Sequence, residues 1–231
     1  METISQGIIE AFKLIGSLNP ELLQILFLSL EISVLAVIIA MLFGVPLGTF
    51  LGLKRFPGRN LFIAIVNTGM GLPPVVVGLF VFLILARSGP LGGFNLLYTP
   101  WAMLIAQVII AAPLVMGVTM AAIQGLDERL KLQILALGAN TLQFYLKLMK
   151  EARLSLIAAL AAGFGSVISE VGAVMMVGGN IKGQTRVMTT AIVLETRQGD
   201  YSLAIALSVI LLLIALLLNL VFTYLQQRRS S

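Results

Sequence analysis

The sequence predicts an all-α integral membrane protein whose chain crosses the bilayer five times. Residues 32–53, 60–86, 88–126 and 201–227 contain no charged residue at all, and a membrane-spanning helix needs roughly 20 apolar residues to cross about 30 Å of hydrocarbon. Hydrophobic residues make up 59% of the chain and charged residues only 11%. A water-soluble fold of this length cannot bury so much apolar surface, so these stretches are predicted to lie in the membrane.

A short amphipathic helix, residues 1–19, is predicted to precede the first span. Its apolar side chains fall on one face at helical spacing, which is typical of a helix lying at the membrane interface. An ordinary disordered terminus is the alternative. The apolar positions are Ile4, Ile8, Ile9, Phe12 and Ile15, and the polar positions are Glu2, Gln6, Glu10 and Lys13.

The rest of the chain is predicted to be one transmembrane domain, residues 20–226, followed by a cytoplasmic tail at 227–231. A pathway needs helices on all sides and five are few to enclose one, so we expect a dimer. The spans are placed at about 22–53, 60–86, 101–124, 153–179 and 202–226.

Lys and Arg are distributed unevenly between the two sides of this array, ten on one side and five on the other. Because basic loops stay in the cytoplasm, the N-terminus is predicted outside and the C-terminus inside. The cytoplasmic set is Lys54, Arg55, Arg59, Arg129, Lys131, Lys147, Lys150, Arg153, Arg228 and Arg229, and the outer set is Lys13, Arg87, Lys182, Arg186 and Arg197.

The first span carries a stripe of Gly44, Gly48 and Gly52, one small residue every four positions. Such a stripe lets another helix approach closely and indicates helix packing, with a dimer contact as one possibility. Glu31 lies near the predicted outer end of the same span and can simply reach the interface.

Prolines interrupt the first three spans: Pro46 in the first, Pro73 and Pro74 in the second, and Pro113 in the third. A proline removes a backbone donor and kinks its helix. The carbonyls that it frees in hydrocarbon must be satisfied by protein or by water in a cavity, so clustered breaks favour a polar pathway. Packing kinks are the alternative.

The fourth span contains a carboxylate, Glu170, and a charge at mid-bilayer costs about 2.5–3.5 kcal/mol on insertion scales. Ser166 and Ser169 fall on the same helical face. We predict a role in lining or gating a pathway; a structural hydrogen bond to a neighbouring helix is the alternative. The predicted pathway or gate residues are Pro73, Pro74, Ser166, Ser169, Glu170 and Gly172.

The loop between the third and fourth spans is predicted to form two short helices. Asp127 and Glu128 suit the positive end of a first helix, and Gly138 supplies its stop. Asn140 with Gln143 forms a capping-box-like start for a second. A compact cytoplasmic knob of this kind can receive force from a partner; a surface feature without a function is the alternative.

Several chemistries are excluded by composition. The chain contains no Cys and no His, so thiolate or imidazole metal sites and Cys- or His-based catalysis are excluded, and no metal site is predicted. No Gly is followed by Lys, which removes the usual phosphate-binding loop of ATPases. The chain is therefore predicted not to be an enzyme.

At the knob the chain resembles the permease subunits of ATP-binding cassette importers of the type I fold, whose loop carries Glu-Ala-Ala, then a central Gly, then Ile-x-Leu-Pro. Gly138 matches the central Gly and Leu148 the Ile, while Leu132-Gln133-Ile134 stand in place of Glu-Ala-Ala and Lys150-Glu151 in place of Leu-Pro. Residues 169–181 and 183–192 look like the molybdate and tungstate branch of this family. Residues 195–201 and the degenerate loop motif look more like its tungstate permeases.

The resemblance implies a five-helix permease in the cytoplasmic membrane that imports a tetrahedral oxyanion, tungstate or molybdate. It implies a second permease copy, two cytoplasmic ATPase subunits that bind ATP and magnesium, and an extracytoplasmic oxyanion-binding protein; no cofactor in this chain and no nucleic acid are expected. The predicted coupling residues, in a coupling helix between spans 3 and 4, are Leu132, Gln133, Ile134, Ala136, Leu137, Gly138, Ala139 and Asn140.

Other functions stay open at this point. A permease of the same family for another small solute would share the spans and the knob. A stand-alone channel or secondary carrier would need its own coupling-ion site, for which Glu170 and Glu31 are the only candidates. A membrane anchor without transport would leave the helix breaks and the ordered knob unexplained.

Overall fold

The computed structural model describes residues 2–17 and 20–227, and within these ranges the chain forms eleven α-helices, one 3-10 turn and no strand. The predicted all-helical class is confirmed. In chain order the helices are α1 (Glu2–Ser17), α2 (Pro20–Leu53), α3 (Arg59–Met70), α4 (Pro74–Leu85), α5 (Pro100–Gln124), α6 (Glu128–Ala136), α7 (Thr141–Glu151), α8 (Arg153–Ile168), α9 (Gly172–Gly178), α10 (Met188–Gln198) and α11 (Tyr201–Gln227), and the 3-10 turn is Gly92–Phe94.

Three helices, α2, α5 and α11, are each long and apolar enough to cross a bilayer alone. Two pairs reach that length only together, and both are bent: α3 with α4 by 102°, and α7 with α8 by 69°. The described residues therefore contain three to five candidate spans. The predicted span 153–179 is not one helix, because α8 ends at Ile168 and α9 begins only at Gly172.

The glycine stripe of α2 packs against α5 of the same chain, and the two helices run parallel. Gly44 meets Val115, Gly48 meets Thr119 and Gly52 meets Ile123. A Cβ atom built on Gly48 would lie 2.5 Å from the Met116 carbonyl oxygen. The predicted packing role is thus borne out within one chain, and only glycine permits the approach at this position.

Of the predicted proline breaks, only Pro73–Pro74 ends a helix. Helix α3 stops at Met70, and α4 starts with Pro74 at its first position, where a proline needs no backbone donor. Pro46 and Pro113 instead lie inside α2 and α5, which continue through them. The ring of Pro113 fills a place beside Gly69, where a Cβ atom would be only 2.8 Å away. Pro46 and Pro113 therefore do not end their helices; the packing alternative holds for Pro113, whereas Pro46 is exposed on α2.

Residues 180–201, which the predicted spans leave as a loop, contain the additional helix α10. Its first backbone N–H, from Met188, donates to Ser29 Oγ of α2 at 2.8 Å. Ser29 Oγ in turn donates to the Ile25 carbonyl at 2.6 Å. A tertiary hydrogen bond to α2 thus caps the start of α10, which the local sequence does not predict.

Helix α1 packs against α11, with Gly7 buried beside Ile205. The side chains of Ile8, Ile9 and Phe12 are exposed. The side chains of Glu2, Ile4, Glu10 and Ile15, also predicted for the amphipathic segment, lie outside the part of the chain that the structure describes, as do residues 228–231 of the predicted tail.

We call the end of the bundle where α2 and α5 finish and α3 begins the basic end, because Lys54, Arg55 and Arg59 lie there. Helices α6 and α7 and the turn between them, residues 127–151, also lie at this end and are called the knob. The end at which α2, α5 and α11 begin is called the opposite end.

Candidate functional site

The knob is built as the sequence predicts, from two helices with well-defined ends. Asp127 caps α6, since its Oδ1 accepts the Arg129 backbone N–H at 2.8 Å. At α7, Gln143 N–H donates to Asn140 Oδ1 at 2.9 Å while Asn140 N–H donates to Gln143 Oε1 at 3.0 Å. This reciprocal capping box satisfies two otherwise free backbone donors and fixes the start of α7.

The turn between α6 and α7 depends on Gly138, whose φ of +77° lies in the left-handed region. Its N–H donates to the Leu135 carbonyl at 3.0 Å, and the Ala139 N–H donates to the Ile134 carbonyl at 3.4 Å. These bonds use carbonyls that the end of α6 would leave free. The predicted stop at Gly138 is therefore confirmed, with glycine required by the sign of φ.

A small apolar cluster attaches the knob to the rest of the bundle. Leu148 of α7 is fully buried and packs with Ile123 at the end of α5 and Ala152 before α8. Ile134 of α6 and Phe144 of α7 pack against the same cluster. Both knob helices thus pack against the tip of α5, a helix long enough to cross the bilayer.

The knob exposes several leucines among its charged and polar side chains. Leu137 is 88% exposed, more than any other large hydrophobic side chain that the structure describes. Among the predicted coupling residues, Leu132, Gln133, Ala136, Leu137, Gly138 and Asn140 are exposed, whereas Ile134 and Ala139 are half-buried. Leu135, Leu142 and Leu146 add to the exposed leucines. A soluble surface rarely presents such a group unless a partner covers it.

Two helix breaks, the one before α4 and the one before α9, lie side by side in the structure. A Cβ atom built on Gly172 would lie 2.6 Å from Val75 Cγ2, and one built on Gly78 would lie 2.6 Å from the Ala173 Cα. The start of α9 therefore packs directly onto α4, just after Pro73 and Pro74. The structure brings these two prolines and Gly172, predicted as pathway residues from separate spans, to one place.

Glu170 lies in the break between α8 and α9 and is buried. Its Oε1 accepts the Ala173 backbone N–H at 2.9 Å, which caps α9. Its backbone carbonyl accepts Thr189 Oγ1 of α10 at 2.9 Å. The side chain and the backbone of Glu170 thus tie the break to the start of α9 and to α10.

The two predicted serines are placed differently from Glu170. Ser169 Oγ is exposed and donates to the Gly165 carbonyl of its own helix at 2.8 Å. Ser166 is half-buried on α8. The helical face that would join these serines to Glu170 ends at Ile168, because the chain leaves the helix before the carboxylate.

Two residues that sequence reasoning missed support the break. Gln107 of α5 is buried, and its Nε2 donates to the Val167 carbonyl at 3.1 Å, near the end of α8. Thr189 supports Glu170 from α10. Gln107 had a sequence signal, since it is an amide within a charge-free apolar span, where an unpaired polar group is costly. Thr189 had none, because α10 was not predicted.

This arrangement, in which long and bent spans carry a helical knob at one end, is the fold of an ATP-binding cassette transporter permease. A solved structure described as an amino acid ABC transporter with histidines matches it with a TM-score of 0.67, covering 93% of this chain and 96% of the other at 17% identity. Residues 44–231 match the family of binding-protein-dependent transport system inner membrane components, and the chain belongs to this family. It is therefore an inner-membrane transporter subunit rather than an enzyme.

Three permease proteins are similar to this chain over most of its length. The tungstate uptake system permease protein TupB of Peptoclostridium acidaminophilum is 41% identical over 98% of this chain and 100% of its own length. A probable anion ABC transporter permease protein of Haloferax volcanii is 41% identical over 89% of this chain and 91% of its own. The molybdenum transport system permease protein ModB of Escherichia coli is 27% identical over 85% of this chain and 91% of its own length.

Proposed function

We propose that the chain is the permease subunit of an ATP-driven importer for a tetrahedral oxyanion, with tungstate as the preferred substrate and molybdate as the next. The observation that carries this proposal is the 41% identity to a tungstate uptake permease over 98% of this chain and the whole of that protein. The 41% identity to a probable anion permease supports the same substrate charge.

A dianion can pass through these spans without a fixed positive charge. Residues 60–86 and 88–126, which contain α4 and α5, have no basic side chain. Backbone N–H groups at helix breaks and Ser or Thr hydroxyls bind oxyanions weakly, and weak binding permits release. Strong selection for the substrate is then left to an extracytoplasmic oxyanion-binding protein.

The working assembly that we propose has two permease copies, each with five spans, and its basic end lies in the cytoplasm. Helices α3 and α4 together count as one span and α8 with α9 as another, the N-terminus is outside, and the C-terminus is inside. The uneven Lys and Arg distribution supports this orientation. Two ATPase subunits, which bind ATP and magnesium, dock on the exposed leucines of the knob, and the binding protein docks at the opposite end.

The gate in this proposal is the place where α4 and α9 meet. Pro73, Pro74, Ser166, Ser169, Glu170 and Gly172 line it or hold its shape. Because Leu148 links the knob to the tip of α5, and Gln107 of α5 supports the end of α8, a movement of the knob has a packed route to the break. This route supports coupling between ATPase docking and the gate.

Transport assays test the substrate. The permease, reconstituted with its ATPase and binding protein, should take up labelled tungstate only when ATP is present, and unlabelled tungstate should compete better than molybdate and much better than sulfate. Uptake without ATP would favour a stand-alone carrier. Selective uptake of an amino acid would contradict the oxyanion proposal while leaving the permease assignment in place.

A sulfate importer is the second candidate, because a sulfate transport system permease protein of Salmonella typhimurium is 29% identical over 91% of this chain. Sulfate is also a tetrahedral dianion, so the same pathway chemistry applies. The competition experiment separates the two, since a sulfate importer would be blocked by sulfate at concentrations that leave a tungstate importer unaffected.

A further inference from the structure

A concentration of positive charge at the basic end has no role in the transport route described above, although Leu132 and Leu135 of the knob line the same cleft. The end of α2, the start of α3 and the knob enclose a cleft of about 730 Å³, which we call the basic cleft. Its lining contains one carboxylate and four cations, a surplus of three positive charges. These residues are Glu128, Lys54, Arg55, Arg59 and Lys131.

The cations of the basic cleft are only partly neutralised. Lys131 is nearly buried, with 11% of its side chain exposed, and its Nζ pairs with Glu128 Oε1 at 2.8 Å. Arg59 Nε donates to the Leu51 carbonyl at 2.9 Å, which holds the guanidinium at the last turn of α2. The ion pairs among the described residues do not include Lys54, Arg55 or Arg59.

Membrane topology alone does not account for this arrangement. Cations after α2 favour a cytoplasmic location and stabilise the negative end of the helix dipole, which explains Lys54 and Arg55. Neither effect requires the cations to converge on one concave surface. Neither explains why Lys131, on a different helix, also lines this cleft, where the one carboxylate of the lining, Glu128, pairs with it and leaves a surplus of three positive charges.

We propose that the basic cleft binds a tetrahedral oxyanion of the phosphate type. Arginine and lysine donors arranged around a concave site suit three or four anionic oxygens, and the cleft is of the size that accommodates small ligands. The oxyanion has two sources, the phosphate of an anionic lipid headgroup or a free anion such as phosphate or tungstate. Basic pockets beside membrane helices are known receivers of lipid headgroups.

The occupant bridges two parts of the molecule. Lys54, Arg55 and Arg59 belong to the body of the bundle, whereas Lys131 and Glu128 belong to the knob. An anion held between them ties the knob to the body and stabilises the position in which the knob is offered to its partner. Only the cytoplasmic location of the cleft depends on the proposed topology; the binding does not.

Binding is tested on the full-length permease in nanodiscs, without transport. The cleft variant is Lys54→Gln with Arg55→Gln, two exposed side chains that leave the core unchanged. Its matched control is Arg129→Gln with Lys150→Gln, two exposed cations of the knob that do not line the cleft. Arg59→Gln is the third variant, and the thermal unfolding temperature without added anion checks that all variants fold.

In the first arm, nanodiscs of phosphatidylcholine are titrated with sodium phosphate or sodium tungstate against sodium chloride of equal ionic strength. A free-anion site predicts a rise in unfolding temperature and retention of tungstate on dialysis, with affinity at least about tenfold weaker in the cleft variant and unchanged in the control. In the second arm, phosphatidylglycerol is added to the nanodiscs without free anion. A lipid site predicts stabilisation by phosphatidylglycerol that the cleft variant loses and the control keeps.

Either pattern supports the basic cleft as an oxyanion site and shows whether the bound oxyanion is a lipid headgroup or a free anion. Equal responses of the cleft variant, Arg59→Gln and the control in both arms would overturn the proposal and leave these cations as topology signals. A failure of tungstate uptake in the transport assay would not alter either reading, because no step of this experiment requires transport.

Discussion

The ends of the knob helices are set by single residues that bond to their own neighbours in the chain. Asp127, Gly138 and the Asn140–Gln143 pair act within a few positions of chain, so their roles follow from the sequence and are confirmed. The sequence identified Glu170 as a site residue but did not predict its hydrogen bonds. Its partners Ala173 and Thr189 lie beyond a helix break that has no proline to mark it. Its gating role stays a prediction.

The charge of Glu170 can be separated from its cap. Glu170→Gln keeps an oxygen that can accept the Ala173 N–H, so we expect normal folding and protein level but altered uptake or ATP coupling. Glu170→Ala loses the cap and should lower the free energy of unfolding by about 0.5–2 kcal/mol. Uptake by reconstituted vesicles and thermal unfolding measure the two effects. Normal uptake and coupling of Glu170→Gln across a range of pH would leave Glu170 with a structural role alone.

The contact between Gly172 and Val75 gives a test by rescue. In Gly172→Ala the added methyl would lie 2.6 Å from Val75 Cγ2, so the Val75 side chain or α9 itself must shift, and uptake should fall severalfold. Adding Val75→Ala removes the clashing methyl and should restore most of the uptake. Gly165→Ala is the control, since nothing lies within 4 Å of its added Cβ. A double variant as impaired as Gly172→Ala would mean that the packing between the breaks does not matter for transport.

At the scale of helices, apolar length and charge were enough to find α2, α5 and α11, but not to foresee bends or the extra helix. The 102° bend between α3 and α4 follows from Pro73–Pro74, yet its angle depends on packing with α9. Helix α10 was missed because its first donor is satisfied by Ser29, 159 positions away in the chain. Contacts of that separation leave no local pattern.

The knob should tolerate alanine but not proline at its turn. The Cβ atom added in Gly138→Ala would meet no atom within 4 Å, so the only cost to the free energy of unfolding is that of a positive φ, about 1–2 kcal/mol. Substrate-stimulated ATPase activity should therefore largely survive. Gly138→Pro cannot adopt a φ of +77° and loses the bond to Leu135, so stimulation should be abolished while membrane insertion is kept. Wild-type stimulation in Gly138→Pro would remove the knob from the mechanism.

The exposed leucine of the knob is expected to act only through a partner. Leu137→Asp alters a side chain that is 88% exposed, so the unfolding temperature of the isolated permease should hardly change. Co-purification of the ATPase should fall at least about tenfold, because a charge would be buried in the docking surface. Lys182→Gln, a change in the segment between α9 and α10, serves as the control. ATPase binding by Leu137→Asp equal to wild type would place the docking surface elsewhere.

At the scale of the whole molecule, the fold class and the transport family follow from the sequence, whereas the sides of the membrane depend on charge counting. The count of ten against five basic residues sets an orientation that the helix packing does not test. The same is true of the second copy, since the packing within one chain uses the glycine stripe internally and leaves the dimer surface unmarked.

Cysteine labelling tests the orientation, since the chain has no cysteine of its own. Ser88→Cys and Gly93→Cys, both exposed, should react with an impermeant maleimide added to intact cells or spheroplasts, and Lys54→Cys should react only after permeabilisation. Gly92 is a poor site, because a Cβ atom there would lie 2.3 Å from the Ala86 carbonyl oxygen. The reverse labelling pattern would put the knob on the wrong side for a cytoplasmic ATPase.

The contact of α2 with α5 fixes the distance between the two helices without fixing their alignment along the axis. Gly44, Gly48 and Gly52 repeat every four residues, and their counterparts on α5 repeat at the same interval. A slide by one helical turn, about 5.4 Å, would again place a glycine opposite a side chain. The degeneracy must be lifted at the basic end, where Leu51 of α2 packs with Met120 of α5, and Leu53 of α2 packs against the cluster that contains Ile123 of α5. Mutations in those end clusters are therefore the ones that would let α2 and α5 slip into a second alignment.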